Sequence, residues 1–138
     1  MFLPIIKLGK VEGANGRNWP GFAIVNHDAP YRAAVAAQEA VEAMFKLNPV
    51  ALLRRVFSRS YRRRMEILGH EAEVQAAWLF YGRDRHDHRT SEVSAMKRGY
   101  AGLFDGMTHK QIYQAMQDQS DNAMRKVRDL NSKLQPLI

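Results

Sequence analysis

The stretch VAAQEAVEAMFKLNP, Val35 to Pro49, contains the frame Gln38-Glu39-Ala40-Val41-Glu42. On a helix, positions i and i+4 share a face, so Gln38 and Glu42 point the same way with Glu39 beside them. When both outer positions are histidine, as in H-E-x-x-H, this spacing holds a zinc ion and the inner glutamate is the general base for its bound water. Here the general-base position, Glu39, is kept and both imidazoles are absent. Any alanine- and glutamate-rich surface helix produces the same letters, so the surroundings must decide what the frame means.

Those surroundings divide by texture. Half of the Gly and Pro falls in the first thirty residues, where short apolar runs alternate with turn residues; this predicts two strands, around Phe2–Leu8 and Gly21–Val25. From Tyr31 the chain is rich in Ala and Glu, with no Gly or Pro before Pro49, and Ala34, Val35, Ala37, Val41, Met44 and Phe45 recur at helical spacing. Asp28 is the expected cap of this helix, with Pro30 at its start. Asn48-Pro49 ends it, because proline disfavours the helical conformation of the residue before it. A second amphipathic segment, PVALLRRVFSRSY, follows, and a third helix is expected from Arg62 to Tyr81, with Gly69 in its middle marking a close approach or a bend. GRDRHDHR reads as a polar loop, and TSEVSAMKRGYAGLF as a helix capped by Thr90 or Ser91 and ended by DGM. A last helix opens on Thr108 and Gln111, a T-x-x-Q capping box, and continues through Ile112, Ala115, Met116, Met124, Val127 and Leu130. The expectation is a mainly α chain with a small N-terminal β-hairpin and about five helices.

The order WPGFAIV, then QEAVEAMFKLNP, then LLRRVFSRSYRRRMEILGH, from about Trp19 to Ala77, resembles the minimal zincin-like proteins of bacteriophages and prophages. In that family a hairpin ending in PG-x-AI leads to the H-E-x-x-H helix, and a later YR…E-x-x-A-Y helix supplies a glutamate ligand. The resemblance implies a degenerate zincin-like core, taken as residues 1–82; residues 83–138 have no counterpart in it and read as a C-terminal helical extension of the same domain. Matching Tyr61 to the family tyrosine implies that Gln38, Glu42 and Glu66 occupy the vestigial ligand positions, with His70 and Glu71 as alternatives for the later ones. Such a set would be an all-oxygen site suited to magnesium, manganese or calcium rather than zinc. Without a cation, converging carboxylates repel and raise at least one pKa. Arg62, Arg63 or Arg64, next to Glu66 in sequence, is the expected compensation, in a Gln–Glu–Arg cluster.

Other features carry weaker chemistry. Asp84, His86, Asp87 and His88 lie close enough in sequence to hold a divalent metal, but such loops are more often solvated. Zero cysteines exclude disulfides, thiolate metal sites and a cysteine nucleophile. No nucleophile elbow and no phosphate-cradling glycine loop occurs. The 138 residues contain no apolar run long enough for a membrane span, and MFLPIIKLGKVEG does not read as a secretory signal. Lys and Arg number 21 against 14 Asp and Glu, a net charge of +7, concentrated in RRVFSRSYRRR. Arg54, Arg55, Arg59, Arg62, Arg63 and Arg64 are therefore candidates for contact with an anion or an acidic partner. No sequence-specific nucleic-acid-binding module accompanies them, which leaves nonspecific contact with nucleic acid. The C-terminal stretch is long enough to project and pair with a partner, or to dock back on the domain.

The expectation is a noncatalytic structural or interaction protein without a cofactor, binding protein partners or further copies of itself. Its location is cytoplasmic, or in the virion if the chain is phage-encoded. The alternatives are a divalent-metal-dependent hydrolase with Glu39 as base, and an arginine-rich nucleic-acid-binding module.

Overall fold

The computed structural model describes residues 3–50, 53 and 58–138. The chain opens with β1 (Ile5–Gly9), β2 (Gly16–Trp19) and β3 (Phe22–Asn26). β3 is central: it runs parallel to β1, with Ile5 opposite Phe22, and antiparallel to β2, with Trp19 opposite Phe22. The two strands expected from sequence are thus parallel neighbours, and the hairpin partner of β3 is the additional strand β2. β2 reads GRNW, a polar run with no apolar alternation, which is why its pattern did not show. Pro20-Gly21 makes the β2–β3 turn, and Gly21 takes a φ of 74° that a Cβ would oppose. Asn26 closes the preceding loop, its amide bonding both the N–H and the C=O of Val11 and the carbonyl of Ala14. Along β3, Ala23 and Val25 are fully buried and meet the first helix.

That helix, α1 (Arg32–Phe45), is lined by Ala33, Ala34, Ala36, Ala37, Ala40 and Ala43, all without solvent exposure. Small side chains let the sheet pack on one side and α2 (Arg59–Tyr81) on the other. The start of α1 corrects the expected Asp28 cap. Tyr31 precedes the helix in the left-handed region (φ 51°), no side chain of its own neighbourhood caps it, and the hydroxyl of Tyr81 at the far end of α2 accepts the Ala33 N–H at 3.0 Å. A tertiary contact has replaced a local one. α2 starts earlier than expected, at a Ser58 cap that accepts from the Tyr61 N–H, and ends at Gly82 with φ 67°. Gly69 marks the close approach of α1 and α2: a Cβ there would lie 3.1 Å from Glu42 Cγ and 3.2 Å from its Oε2. Of the amphipathic segment expected from Pro49 to Tyr61, residues 51, 52 and 54–57 lie outside the described residues, and its end, Arg59 to Tyr61, belongs to the first turn of α2.

The polar stretch read as a loop is mostly helix. Asp84 accepts from the Asp87 N–H and caps α3 (Arg85–Arg98). The inward positions of its first turns are His88 and Arg89, buried with polar partners, so no apolar periodicity announced the helix. α3 therefore begins well before Thr90 and ends at Gly99, and a short 3-10 turn, Tyr100–Gly102, follows. The Thr108–Gln111 capping box forms with both of its bonds and opens α4 (His109–Asp118). The expected long terminal helix is interrupted at Gln119 and Leu130, giving α5 (Ser120–Asp129) and α6 (Asn131–Leu134), followed by a 3-10 turn at Gln135–Leu137. These breaks fold the chain back, so that Ala123, Val127, Leu130 and Leu134 join the core formed by α1, α2 and β3. A second core, containing Ile67, Val74, Val93, Met96, Phe104, Ile112 and Met116, lies across α2 from the first. The architecture is mainly helical with a small N-terminal sheet, and no helix among the described residues is long and apolar enough to cross a membrane.

Candidate functional site: a cleft floored by carboxylates

A cleft of about 840 Å³ lies between β2, α1, α2, α3 and the Tyr100 turn. α1 brings Gln38, Glu39 and Glu42 to its floor, exposed by only 8%, 7% and 4%. α2 contributes Glu66, His70 and Glu73, which share a helix face at spacings of four and three residues. α3 contributes His88 and Glu92. Glu71 lies on the opposite face of α2, fully buried, with its two oxygens on the Arg89 guanidinium at 2.8 and 2.7 Å. Of the alternatives weighed from sequence, the fold brings Glu66 and His70 to the α1 frame and takes Glu71 elsewhere.

The hydrogen bonds order the floor. His70 Nδ1 is 2.6 Å from Glu92 Oε2, so Nδ1 carries the proton it donates. Nε2 is left as an acceptor, with the Tyr100 hydroxyl at 2.5 Å and the Gln38 amide nitrogen at 3.2 Å. The same amide nitrogen donates to Glu42 Oε2 at 3.1 Å. Glu39 accepts from the Asn18 side chain at 2.6 Å. Glu66 Oε2 is 3.8 Å from His70 Nε2 and is buried without a hydrogen-bond partner. Burial raises the Glu42 carboxyl well above its usual range, with the neighbouring Glu66 and Glu39 adding to the effect, and burial also raises Glu39. Burial and the same carboxylates push the Tyr100 phenol up, so it remains a hydrogen-bond donor.

The arginines expected to neutralise Glu66 are differently engaged. Arg63 donates to the carbonyls of Leu103 and Asp105, and Arg59 to those of Leu103 and Gly102, which ties the turn carrying Tyr100 to the first turn of α2. Arg64 lies over the Tyr61 ring, and Arg62 stands at the cleft wall. Arg54 and Arg55 lie outside the described residues. The partners of the carboxylates on the floor include an asparagine, a glutamine, a histidine and a tyrosine, and the charge of Lys46 acts on Glu39 from the cleft wall.

Asp84, His86, Asp87 and His88 do not converge. Asp84 caps α3, His86 bonds the Tyr113 hydroxyl, and His88 turns into the cleft. There His88 Nε2 is 2.8 Å from Glu73 and 3.2 Å from Glu92, a grouping compact enough for a cation. Arg83 donates to His88 Nδ1, however, so Nε2 keeps its proton and gives it to the two carboxylates. The arrangement is a closed relay from Arg83 through His88 and Glu92 to His70.

The zinc that the H-E-x-x-H frame would hold does not fit these residues. One imidazole nitrogen faces the centre, and the amide at position 38 directs its N–H groups at Glu42 Oε2 and His70 Nε2, two of the atoms that would have to bind metal. Asn18, Glu73, Glu92 and Tyr100 were not singled out from the sequence. Glu73 was legible in principle, three residues beyond His70 on the same face; Asn18 and Tyr100 arrive from a polar strand and a turn and leave no local signal. No family model, curated protein or solved structure matches the chain.

The raised Glu42 carboxyl has a consequence for stability. The folded state keeps its proton to higher pH than the unfolded chain, so its contribution is fully present below the unfolded value and is lost as pH rises through the folded one. Glu42→Gln mimics the protonated form. Its unfolding free energy is expected to fall less steeply than that of the unaltered protein as pH rises above the ordinary glutamate range, leaving the variant the more stable of the two at neutral pH. Denaturant titrations across pH would read this, and parallel curves for the two proteins would refute the assignment.

Proposed function

We propose that this chain is a noncatalytic interaction protein, built on a degenerate zincin-like scaffold, whose cleft is kept for binding. One observation carries the reading: the Gln38 amide nitrogen spans from Glu42 to His70, supplying donors where a metalloenzyme would hold its cation. A fixed, uncharged donor satisfies both acceptors but activates no water, and Glu39, in the general-base position, is bonded instead to Asn18. A structural component of a phage particle, with protein partners or further copies of the chain, is the specific form that the sequence resemblance suggests. The nucleic-acid reading is weaker because Arg59 and Arg63 spend their guanidinium groups on backbone carbonyls.

Elemental analysis of the purified protein is expected to find no stoichiometric metal, and chelators are expected to leave its melting temperature unchanged. A near-stoichiometric metal whose removal lowers stability would overturn this function and favour a metal-dependent hydrolase.

A further inference from the structure

α1 packs on one face of the sheet, and the other is turned to solvent. Ala23 and Val25 of β3 and Ile6 and Leu8 of β1 point toward α1 and its core, so the alternate positions point outward. Strand register sets these outward residues in two rows. Ile5, Phe22 and Trp19 stand side by side across β1, β3 and β2, and Lys7, Ile24 and Arg17 form the next row. Ile5 and Trp19 are 53% and 44% exposed, and the ring centroids of Trp19 and Phe22 lie 5.5 Å apart. Gly9, at the end of β1, keeps the face open beside Ile24: a Cβ there would come within 2.9 Å of Ile24 Cγ2. Lys7 and Arg17 are exposed, and neither has a hydrogen bond, ion pair or ring contact among the described residues. No outward position of the three strands is acidic.

We propose that this outer sheet face binds single-stranded nucleic acid, with bases stacked on Trp19 and Phe22 and backbone phosphates held by Lys7 and Arg17. An exposed aromatic ring accepts any unpaired base, and a lysine or arginine beside it neutralises the phosphate. The two rows lie two residues apart along the strands, about 7 Å. One nucleotide can therefore rest its base on the first row and its phosphate against the second. A duplex fits poorly, because its bases are stacked on one another and do not reach the rings. A second copy of the chain fits poorly too, since it would set Lys7 and Arg17 against their like in a chain that already carries +7. β2 borders both this face and the cleft, with Asn18 turned to Glu39 and Arg17 and Trp19 on the opposite side of the strand. The surface is separate from the arginine run, and it does not rest on the role of the cleft.

The test uses the full chain and fluorescence anisotropy with labelled decamers of thymidylate and uridylate across a salt series. Both decamers are expected to bind and to compete with each other, since the face meets base and phosphate and makes no demand on the sugar. Trp19→Ala is expected to weaken binding about tenfold or more, the usual loss for one stacked base, and Trp19→Phe, which keeps a ring, to retain most of the affinity. Lys7→Gln with Arg17→Gln is expected to flatten the salt slope by about 1.4, from two phosphate contacts at roughly 0.7 each. Lys110→Gln with Lys133→Gln removes the same charge from exposed positions on α4 and α6 and is expected to leave the slope unchanged. Melting curves establish that each variant is folded, and the two charge pairs decide the matter if Trp19→Ala is not. Failure of both decamers to bind would overturn the proposal, as would undiminished binding by folded Trp19→Ala or an equal change of slope in the two charge pairs. Inorganic polyphosphate or a thymidylate–adenylate duplex competing as well as the single strand would reduce the contact to charge and also overturn it. Self-association that Trp19→Ala abolishes, with no decamer bound, would give the face to a second copy of the chain. Each of these failures leaves the noncatalytic reading of the cleft standing, because that reading is decided by metal content.

Discussion

Arg89→Met is expected to cost about 3–5 kcal/mol of folding stability, the usual range for breaking a buried ion pair by removing one partner. Arg89 is 5% exposed and Glu71 is wholly buried. Two guanidinium N–H groups meet the two Glu71 oxygens at 2.8 and 2.7 Å, a third donates to the Tyr113 hydroxyl, and Gln75 adds a further hydrogen bond to Glu71. Through these contacts one side chain of α3 is tied to both α2 and α4. Removing it leaves a carboxylate in the interior with only the Gln75 amide, and desolvation then dominates. For a domain of this size the melting temperature should fall by roughly 10–20 °C. Urea unfolding would measure the free energy directly. Arg89→Met combined with Glu71→Leu is expected to recover most of the loss, because replacing both charges removes the uncompensated one. A loss below about 1 kcal/mol in the single variant would show that the pair is not load-sharing in solution.

The second large effect concerns the frame on α1. Gln38→His together with Glu42→His is expected to create a zinc site. Position 38 already lies 3.2 Å from His70 Nε2, and Glu66 Oε2 is 3.8 Å from that same nitrogen, so the new imidazoles would face an existing imidazole and an oxygen ligand without backbone movement. Gly69 keeps α2 close enough to α1 for the approach. Zinc at a hundred times its dissociation constant should then stabilise the variant by about 2.7 kcal/mol, while the parent protein gains nothing comparable. Calorimetric titration and melting with and without zinc would read the effect. Adding Glu66→Gln should weaken the site, whereas adding Glu71→Gln should lower stability and leave zinc affinity unchanged, because Glu71 faces Arg89 on the far side of the helix. A folded double-histidine variant with no zinc affinity would show that the two helices do not hold these side chains at the observed spacing.

Periodicity and capping chemistry carry much of this fold, because they act between residues one helical turn apart. The Ala-rich α1, the Thr108–Gln111 capping box and the shared face of Glu66 and His70 were legible for that reason. Where a local signal met a competing long-range contact, the long-range contact won: Tyr81 took over the start of α1, and docking of Ala123 and Val127 broke the terminal helix that the apolar spacing had suggested was continuous. α3 was hidden by the opposite effect, since its buried residues are charged or imidazole side chains whose burial is tolerable only with partners on another helix.

By itself the sequence determined that histidines are missing from the Gln38–Glu42 frame, that no cysteine can replace them, and that the chain is mainly helical with a small N-terminal sheet. Only the tertiary structure decided that Glu66 and not Glu71 faces that frame, that His70 and Tyr100 rather than an arginine complete the floor, and that one oxygen of Glu66 is left without a donor. Residue type and helical phase fix which side chains share a face. Which face is turned toward which neighbour depends on packing that buries Ile67 and Val74 on one side of α2 and Leu68 and Ala72 on the other, and those contacts join residues far apart in the chain.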